Sequence, residues 1–177
     1  MRFRSETRPL MTSAQPTQTV LIRAAQPDDT ADIFALIQAL AEYEKLSHQV
    51  TGDIALLRQH LFGDRPCVEA IVAEVAGKLV GFALFFTNYS TFLTKPGIYL
   101  EDLFVLPQYR GQGIGKALLS WLARLVMERD YGRLEWSVLD WNAHAIGFYE
   151  RMGATVLPDW RICRVTGEAI DRLAHQV

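Results

Sequence analysis

The stretch from Leu100 to Leu119, LEDLFVLPQYRGQGIGKALL, constrains this chain more than any other part of it. A strand-forming run ends at Pro107, and Arg110-Gly111-Gln112-Gly113-Ile114-Gly115 leads straight into a helical pattern. Glycines in such a place let successive backbone N–H groups converge on one point. The positive end of the helix dipole adds to that field, which makes a site for phosphate oxygens. Arg110 and Lys116 can add charge. Spacing narrows the ligand. A Walker A loop needs a glycine, four residues, then Gly-Lys-Ser/Thr; here Arg110 holds the first position and Ala117 follows Lys116. A dinucleotide GxGxxG needs glycine at position 116 after Gly111 and Gly113, where Lys116 stands, and the frame starting at Gly113 meets Leu118. The pattern that is satisfied is Arg/Gln-x-x-Gly-x-Gly/Ala, through Arg110, Gly113 and Gly115.

The remaining sequence reads as one domain built around that turn. A length of 177 residues supports one sizeable core and is too short for two typical ones. The reading begins with a strand at Val20 to Ala24. A helix opened by Pro27-Asp28-Asp29 follows, with Ile33, Leu36, Ile37, Leu40 and Ala41 as its apolar stripe and its end near Tyr43-Glu44-Lys45. A second helix spans roughly Asp53 to Phe62. Strands at Val68 to Val75 and Leu79 to Asn88 form a hairpin through Ala76-Gly77-Lys78. A strand at Ile98 to Leu106 precedes the glycine turn, and the helix after it runs to about Arg129. Leu134 to Leu139 reads as a strand, Ala143 to Arg151 as a helix, and Thr155–Leu157 and Arg161–Val165 as two last strands before a short amphipathic tail. Mixed order with central hairpins indicates an α/β (α+β) sandwich layer rather than a doubly wound parallel sheet. Residues Met1 to Thr19 are polar, carry two prolines and show no period, so they read as a disordered or extended leader, with 20–177 as the domain.

Composition excludes several classes of function. A formal net charge of −2, with Lys and Arg scattered along the chain, does not suit a nucleic-acid surface. The four histidines form no HxH or HxxxH pair, so no metal is expected. The apolar runs fall far short of a membrane span. Cys67 and Cys163 lack CxxC spacing and read as two buried thiols in a reducing cytosol, so the expected location is cytoplasmic. Trp136, Trp141 and Trp160 read as core residues.

With these residues in place, the chain resembles the GNAT superfamily of acetyltransferases from about Val20 to Arg164. More narrowly, it is similar to the branch of spermidine/spermine (diamine) and thialysine acetyltransferases. IRAAQPDD at 22–29, ALAEYE at 39–44, YLEDLFVLPQYRGQGIG at 99–115 and WNAHAIGFYERMGA at 141–154 carry the likeness. The resemblance implies a mixed, mostly antiparallel seven-stranded sheet flanked by helices and splayed between its fourth and fifth strands. It also implies acetyl-CoA as co-substrate, a small-molecule amine as partner and a homodimer. On the cofactor side it implies Leu103, Phe104 and Val105 beside the pantetheine arm, Arg110, Gly111, Gln112, Gly113, Ile114, Gly115 and Lys116 at the pyrophosphate, and Asn142 on the arm. It gives Tyr149 the protonation of the leaving sulfur and sets Tyr43, Glu44, Glu101 and Asp102 on the amine side. There are departures: Phe92 stands where the family branch has a tryptophan, and the segment before Trp160-Arg161 is shorter with Pro158 and Asp159 in it. These bear on the choice of amine.

The chemistry asks for a base. An alkyl ammonium has a pKa near ~10.4, so on the order of one molecule in a few thousand is the free base at neutral pH. Glu101 is the better candidate for removing the proton. Strand alternation sends Asp102 to the opposite face unless a bulge re-aims it. A solvated strand edge would also account for the pair. Tyr149 suits a proton donor because a phenol starts protonated, although a core tyrosine beside Ile146 and Phe148 has the same pattern. Asn142 is also placed to cap the helix after it. Tyr43 and Glu44 alone would read as surface residues at a helix end. The function expected is transfer of an acetyl group to a small primary amine in a ternary complex, the alternatives being acetylation of a protein N-terminus or lysine and a non-catalytic acyl-CoA-binding module.

Overall fold

The structure, a computed structural model, describes residues 19–176. They fall into two units, the first ending at Ser137 and the second beginning at Val138. The leader read for Met1 to Thr19 lies outside the described residues, Thr19 apart. The first unit holds β1 (Val20–Ala24), α1 (Thr30–Tyr43), α2 (Ile54–Phe62), β2 (Glu69–Val75), β3 (Lys78–Ser90), β4 (Lys95–Val105), α3 (Ile114–Glu128) and β5 (Leu134–Trp136). The second holds α4 (Ala143–Arg151) and α5 (Glu168–Ala174).

The sheet order is β1-β2-β3-β4-β5. The first four strands are antiparallel neighbours, and β5 joins β4 in parallel. Among the described residues the sheet therefore has five strands, not the expected seven. Thr155–Leu157 and Arg161–Val165 form no strand, and the one starting at Leu134 stops at Trp136. Those segments have the right composition, but composition supplies propensity and not a ladder partner. The second unit also exposes Trp141 and Trp160, which were expected in a core. Cys67 and Cys163 are exposed and unpaired rather than buried.

Layering follows from alternation. Ala70 and Val72 of β2, Phe82 and Leu84 of β3 and Phe104 of β4 pack with Ile33 and Leu36 of α1 and Leu61 of α2. Ile71 and Ala73 point to the opposite face and are also fully buried. That face is covered by α3, which packs on all five strands and buries Ile114, Leu118, Leu119 and Leu122. The β2–β3 hairpin turns on Ala76 and Gly77, both at positive φ (50° and 77°), as a two-residue turn of this hand requires.

Both ends of α1 are fixed. At its start Arg23 of β1 donates to the two oxygens of Asp29 at 2.6 and 2.9 Å, and its Nε donates to Glu74 of β2 at 3.0 Å. Asp29 also accepts from the Gln26 backbone N–H at 2.7 Å. At its end the Lys45 N–H donates to the Glu42 carbonyl (3.0 Å) and the Leu46 N–H to the Ala41 carbonyl (2.7 Å), the paired closure of a Schellman motif. Lys45 takes the left-handed position, φ 63°, usually given to glycine. This closure sets where Tyr43 and Glu44 stand. Lys45→Gly is expected to stabilise the protein by about 1 kcal/mol, raising Tm by ~2–4 °C in calorimetry. An unchanged or lower Tm would show that the left-handed position carries no strain.

Candidate active site

The turn between β4 and α3 has the character its sequence promised. Gly111 and Gly113 adopt φ 75° and 82°, and Gly113 is the N-cap of α3 with no side chain capping the helix. A Cβ built at either glycine would meet nothing within 4 Å. Backbone conformation, rather than crowding by the protein, thus demands glycine here, and the space in front of the backbone is open. Gly111, Gln112, Gly113 and Lys116 are exposed, Gly115 is half-buried and Ile114 is buried as the anchor of α3. Exposed N–H groups at a helix N-terminus fit a pyrophosphate.

Arg110 has partners within the protein. Its Nε donates to the Val105 carbonyl at 2.9 Å, and its guanidinium carbon lies 4.5 Å from the Tyr43 ring centroid and 5.4 Å from that of Phe104. The side chain is engaged with the protein, where the sequence had suggested charge for a phosphate. A single sequence offers no signal for that contact, because Tyr43 and Arg110 lie far apart along the chain.

β4 holds the second half of the site. It pairs with β5 only over Ile98–Leu100 against Leu134–Trp136 and then runs on to Val105. From Glu101 to Val105 its other edge has no β5 partner. Leu103 and Val105 there are half-buried and Phe104 is buried. Across the ladder, Gly81 opposes Val105, and a Cβ on Gly81 would come within 2.8 Å of the Phe104 carbonyl oxygen. Only glycine lets β3 hold the end of β4 this closely.

The β3–β4 register carries one irregularity. Leu84 opposes Asp102 and Phe85 opposes Leu100, so Glu101 is an extra residue. Simple alternation would send Asp102 to the α3 face. The bulge instead sets it opposite Leu84, on the face of Phe104 and α1, and leaves Glu101 exposed. Burial, Glu101 and Glu44 together push the Asp102 carboxyl up to about 6. Burial also raises Glu44. Three predicted amine-side carboxylates thus lie close enough for their charges to add, and Tyr43 is next in sequence to one of them.

In the second unit, Asn142 caps α4, its Oδ1 accepting from the Ala145 N–H at 3.2 Å. Tyr149 lies on α4 with its ring 5.4 Å from that of Phe148. Among the described residues no group of three His, Cys, Asp or Glu is placed to hold a metal ion, and no helix is long and apolar enough to cross a membrane.

A glycine turn at a helix N-terminus, leading from a strand edge that has lost its neighbour, can hold a phosphate-bearing carrier along that edge. The chain matches the Acetyltransferase (GNAT) family over residues 33–154. It is 39% identical over 166 residues to the thialysine N-epsilon-acetyltransferase of Bos taurus, covering 88% of this chain and 97% of that protein. It is 34% identical over 197 residues to an L-ornithine N5-acetyltransferase of Arabidopsis thaliana, covering 86% of each. An integron cassette protein of V. cholerae superposes with a TM-score of 0.74 at 25% identity, covering 89% of this chain and 98% of that one. The chain belongs to the GNAT acetyltransferase family and is an N-acetyltransferase.

The raised Asp102 pKa has a consequence for stability. A carboxyl whose folded pKa lies above its ordinary 3.8 favours folding below that value, and the contribution is lost as pH rises through about 6. The unfolding free energy of Asp102→Asn relative to the wild type, read by denaturant titration, should therefore rise between pH 4 and pH 7 by on the order of 1–3 kcal/mol and then level off. A difference that does not move with pH would remove Asp102 from the buried cluster.

Proposed function

We propose that this enzyme transfers the acetyl group of acetyl-CoA to a side-chain or terminal primary amine of a small cationic molecule in one ternary complex. The observation that carries this reading is the carboxylate cluster. Burial, then Glu101, then Glu44 raise the Asp102 pKa, and no ion pair to any of the three is seen among the described residues. Carboxylates gathered in this way suit a cation that arrives as substrate.

Acetyl-CoA supplies the activated acetyl group as a thioester. The chain's own residues do the rest. The backbone of Gly111 to Lys116 holds the pyrophosphate, and Leu103 to Val105 align the carrier arm along the open edge of β4. The carboxylate cluster takes the ammonium proton, Asp102 accepting it with its raised pKa and the exposed Glu101 passing it to solvent. Tyr149 donates a proton to the departing sulfur and Asn142 contacts the arm, two assignments that rest on the family resemblance. The same resemblance supports a cytoplasmic homodimer.

The two relatives described above are named for thialysine and L-ornithine. Both are amino acids that carry a primary amine at the end of a side chain, and this favours a lysine-like acceptor. A di- or polyamine is the second reading, favoured by Glu44 standing beyond the base, where it can meet a distal ammonium. Each charge-assisted contact of that kind is worth ~1.5–3 kcal/mol. Acetyl-CoA-dependent thiol release, assayed with ornithine, thialysine, spermidine, a monoamine and a peptide N-terminus, tests the function. Turnover of free cationic amines above the peptide is expected; the reverse would make this a protein acetyltransferase. Within that panel Glu44→Gln should raise KM for a diamine more than for a monoamine of equal length. Equal effects would mean that Glu44 does not read the distal charge.

The cofactor half has its own test. Gly113→Val places a branched side chain at φ 82° in the open space before the turn. It should weaken acetyl-CoA binding at least tenfold, ~1.4 kcal/mol or more. Normal binding by a folded Gly113→Val protein would move the cofactor elsewhere.

A further inference from the structure

We propose that Arg110 is a positioning residue that couples the two ligand sites, tying the cofactor turn to the amine end of α1 through the ring of Tyr43, so that amine and CoA bind cooperatively. The proposal rests on the acetyl-CoA and amine reading above and goes beyond it. It assigns to the Arg110 side chain a task other than contact with phosphate.

Three elements meet at this guanidinium. Tyr43 is the last residue of α1, Phe104 and Val105 close β4, and Arg110 itself opens the glycine turn. The Nε–Val105 bond (2.9 Å) fixes the plane of the group, and the Tyr43 and Phe104 rings supply π-faces at 4.5 and 5.4 Å. A guanidinium within about 6 Å of an aromatic centroid is attracted to it, most strongly where water is excluded. Phe104 is buried and Arg110 half-buried, so the contact is partly shielded.

The turn has few other holds on its strand side. Gly111 and Gly113 have no Cβ to pack, the Arg110 N–H to Pro107 carbonyl bond is 3.2 Å, and the Gln112 side chain reaches the Gln108 carbonyl only at 3.4 Å. Apart from the Tyr109 N–H to Leu106 carbonyl bond (2.9 Å), the conformation of the turn thus depends on where Arg110 is anchored. One anchor, Tyr43, is 37% exposed and stands beside Glu44 of the carboxylate cluster. An amine seated on that cluster orders the end of α1, hence the Tyr43 ring, hence the turn. Linkage makes the effect mutual: CoA must tighten amine binding by the same factor. Lysine cannot substitute, because it lacks both the planar fork and the Nε donor.

The test is calorimetric titration of CoA, which cannot be turned over, with and without saturating ornithine, thialysine or spermidine. In the wild type the amine should tighten CoA binding about fivefold or more, the lower end of typical couplings. Tyr43→Phe keeps the ring and should keep that ratio. Tyr43→Leu and Arg110→Lys should bring it within about twofold of unity, and each should weaken CoA in the absence of amine. A merely structural role would lower Tm and leave the ratio intact. A direct phosphate contact would make Arg110→Lys weaken CoA while Tyr43→Leu did nothing. Either result overturns the proposal, as does a wild type without coupling. Should Arg110→Lys fail to fold, the Tyr43 pair still decides the question. A wild type that does not bind CoA at all overturns the acetyl-CoA reading itself, and this one with it.

Discussion

The extra residue at Glu101 determines which side chains of β4 meet α1. Without it, Glu101 would face the helix and Asp102 would enter the apolar layer under α3, among groups such as Leu118 and Leu122 that are fully buried. An ionised carboxylate in that layer would cost several kcal/mol or stay protonated. With the bulge, Asp102 takes the register position opposite Leu84, and the strand before and after it keeps its apolar residues inward: Ile98 and Leu100 on one side of the irregularity, Phe104 on the other. One inserted residue thus lets two adjacent carboxylates occupy a central strand without breaking the core. It also coincides with the point where β5 lets go of β4, so the two carboxylates stand just where the β5 ladder has ended.

The same economy governs the turn that follows. β4 has to end close against β3 for the turn to start in the right place, and Gly81 makes that approach sterically allowed. Beyond Pro107 the chain needs two left-handed residues within three positions, supplied by Gly111 and Gly113. Ile114 then drives the first turn of α3 into the core at 2% exposure. The helix N-terminus is consequently rigid on one side and open on the other, which is what a backbone anion site requires. No side chain caps α3, so its dipole is left for a ligand.

Sequence reasoning placed α2 and α4 because each has a local cause: Asp53 caps the one and Asn142 the other. It read the glycine turn because positive φ and glycine are tied together by sterics. It missed what has no local cause. Ala76 and Lys45 take left-handed positions that glycine usually fills, since hairpin twist and helix closure outweigh a residue's own preference. Thr155–Leu157 and Arg161–Val165 have strand composition, yet pairing is a property of two segments and not of one. The bulge could be named as a condition but not placed, because register depends on both strands. The side-chain partners of Arg110, Tyr43 and Val105, are set by tertiary contact and so have no signal in the sequence.

Two aspartates show how the fold separates structure from chemistry. Asp29 is buried to 9% exposure, yet its carboxyl is held below the usual range, because Arg23 grips both oxygens and the Gln26 N–H adds a third bond. Such a group is satisfied within the protein and has nothing left to offer a ligand. Asp102 has the opposite environment. Burial and two like charges act on it, and its carboxyl rises to about 6. A purely structural carboxylate would have gained a partner, as Asp29 did, since leaving one unpaired next to Glu101 and Glu44 costs stability at neutral pH. Among the described residues, the fold places this cost on β4, where β5 has ended. On the reading proposed above, an ammonium seated there offsets all three charges at once. The charge that draws it in also holds its proton on, so the raised pKa of Asp102 matters because it narrows the gap between the acceptor and the amine.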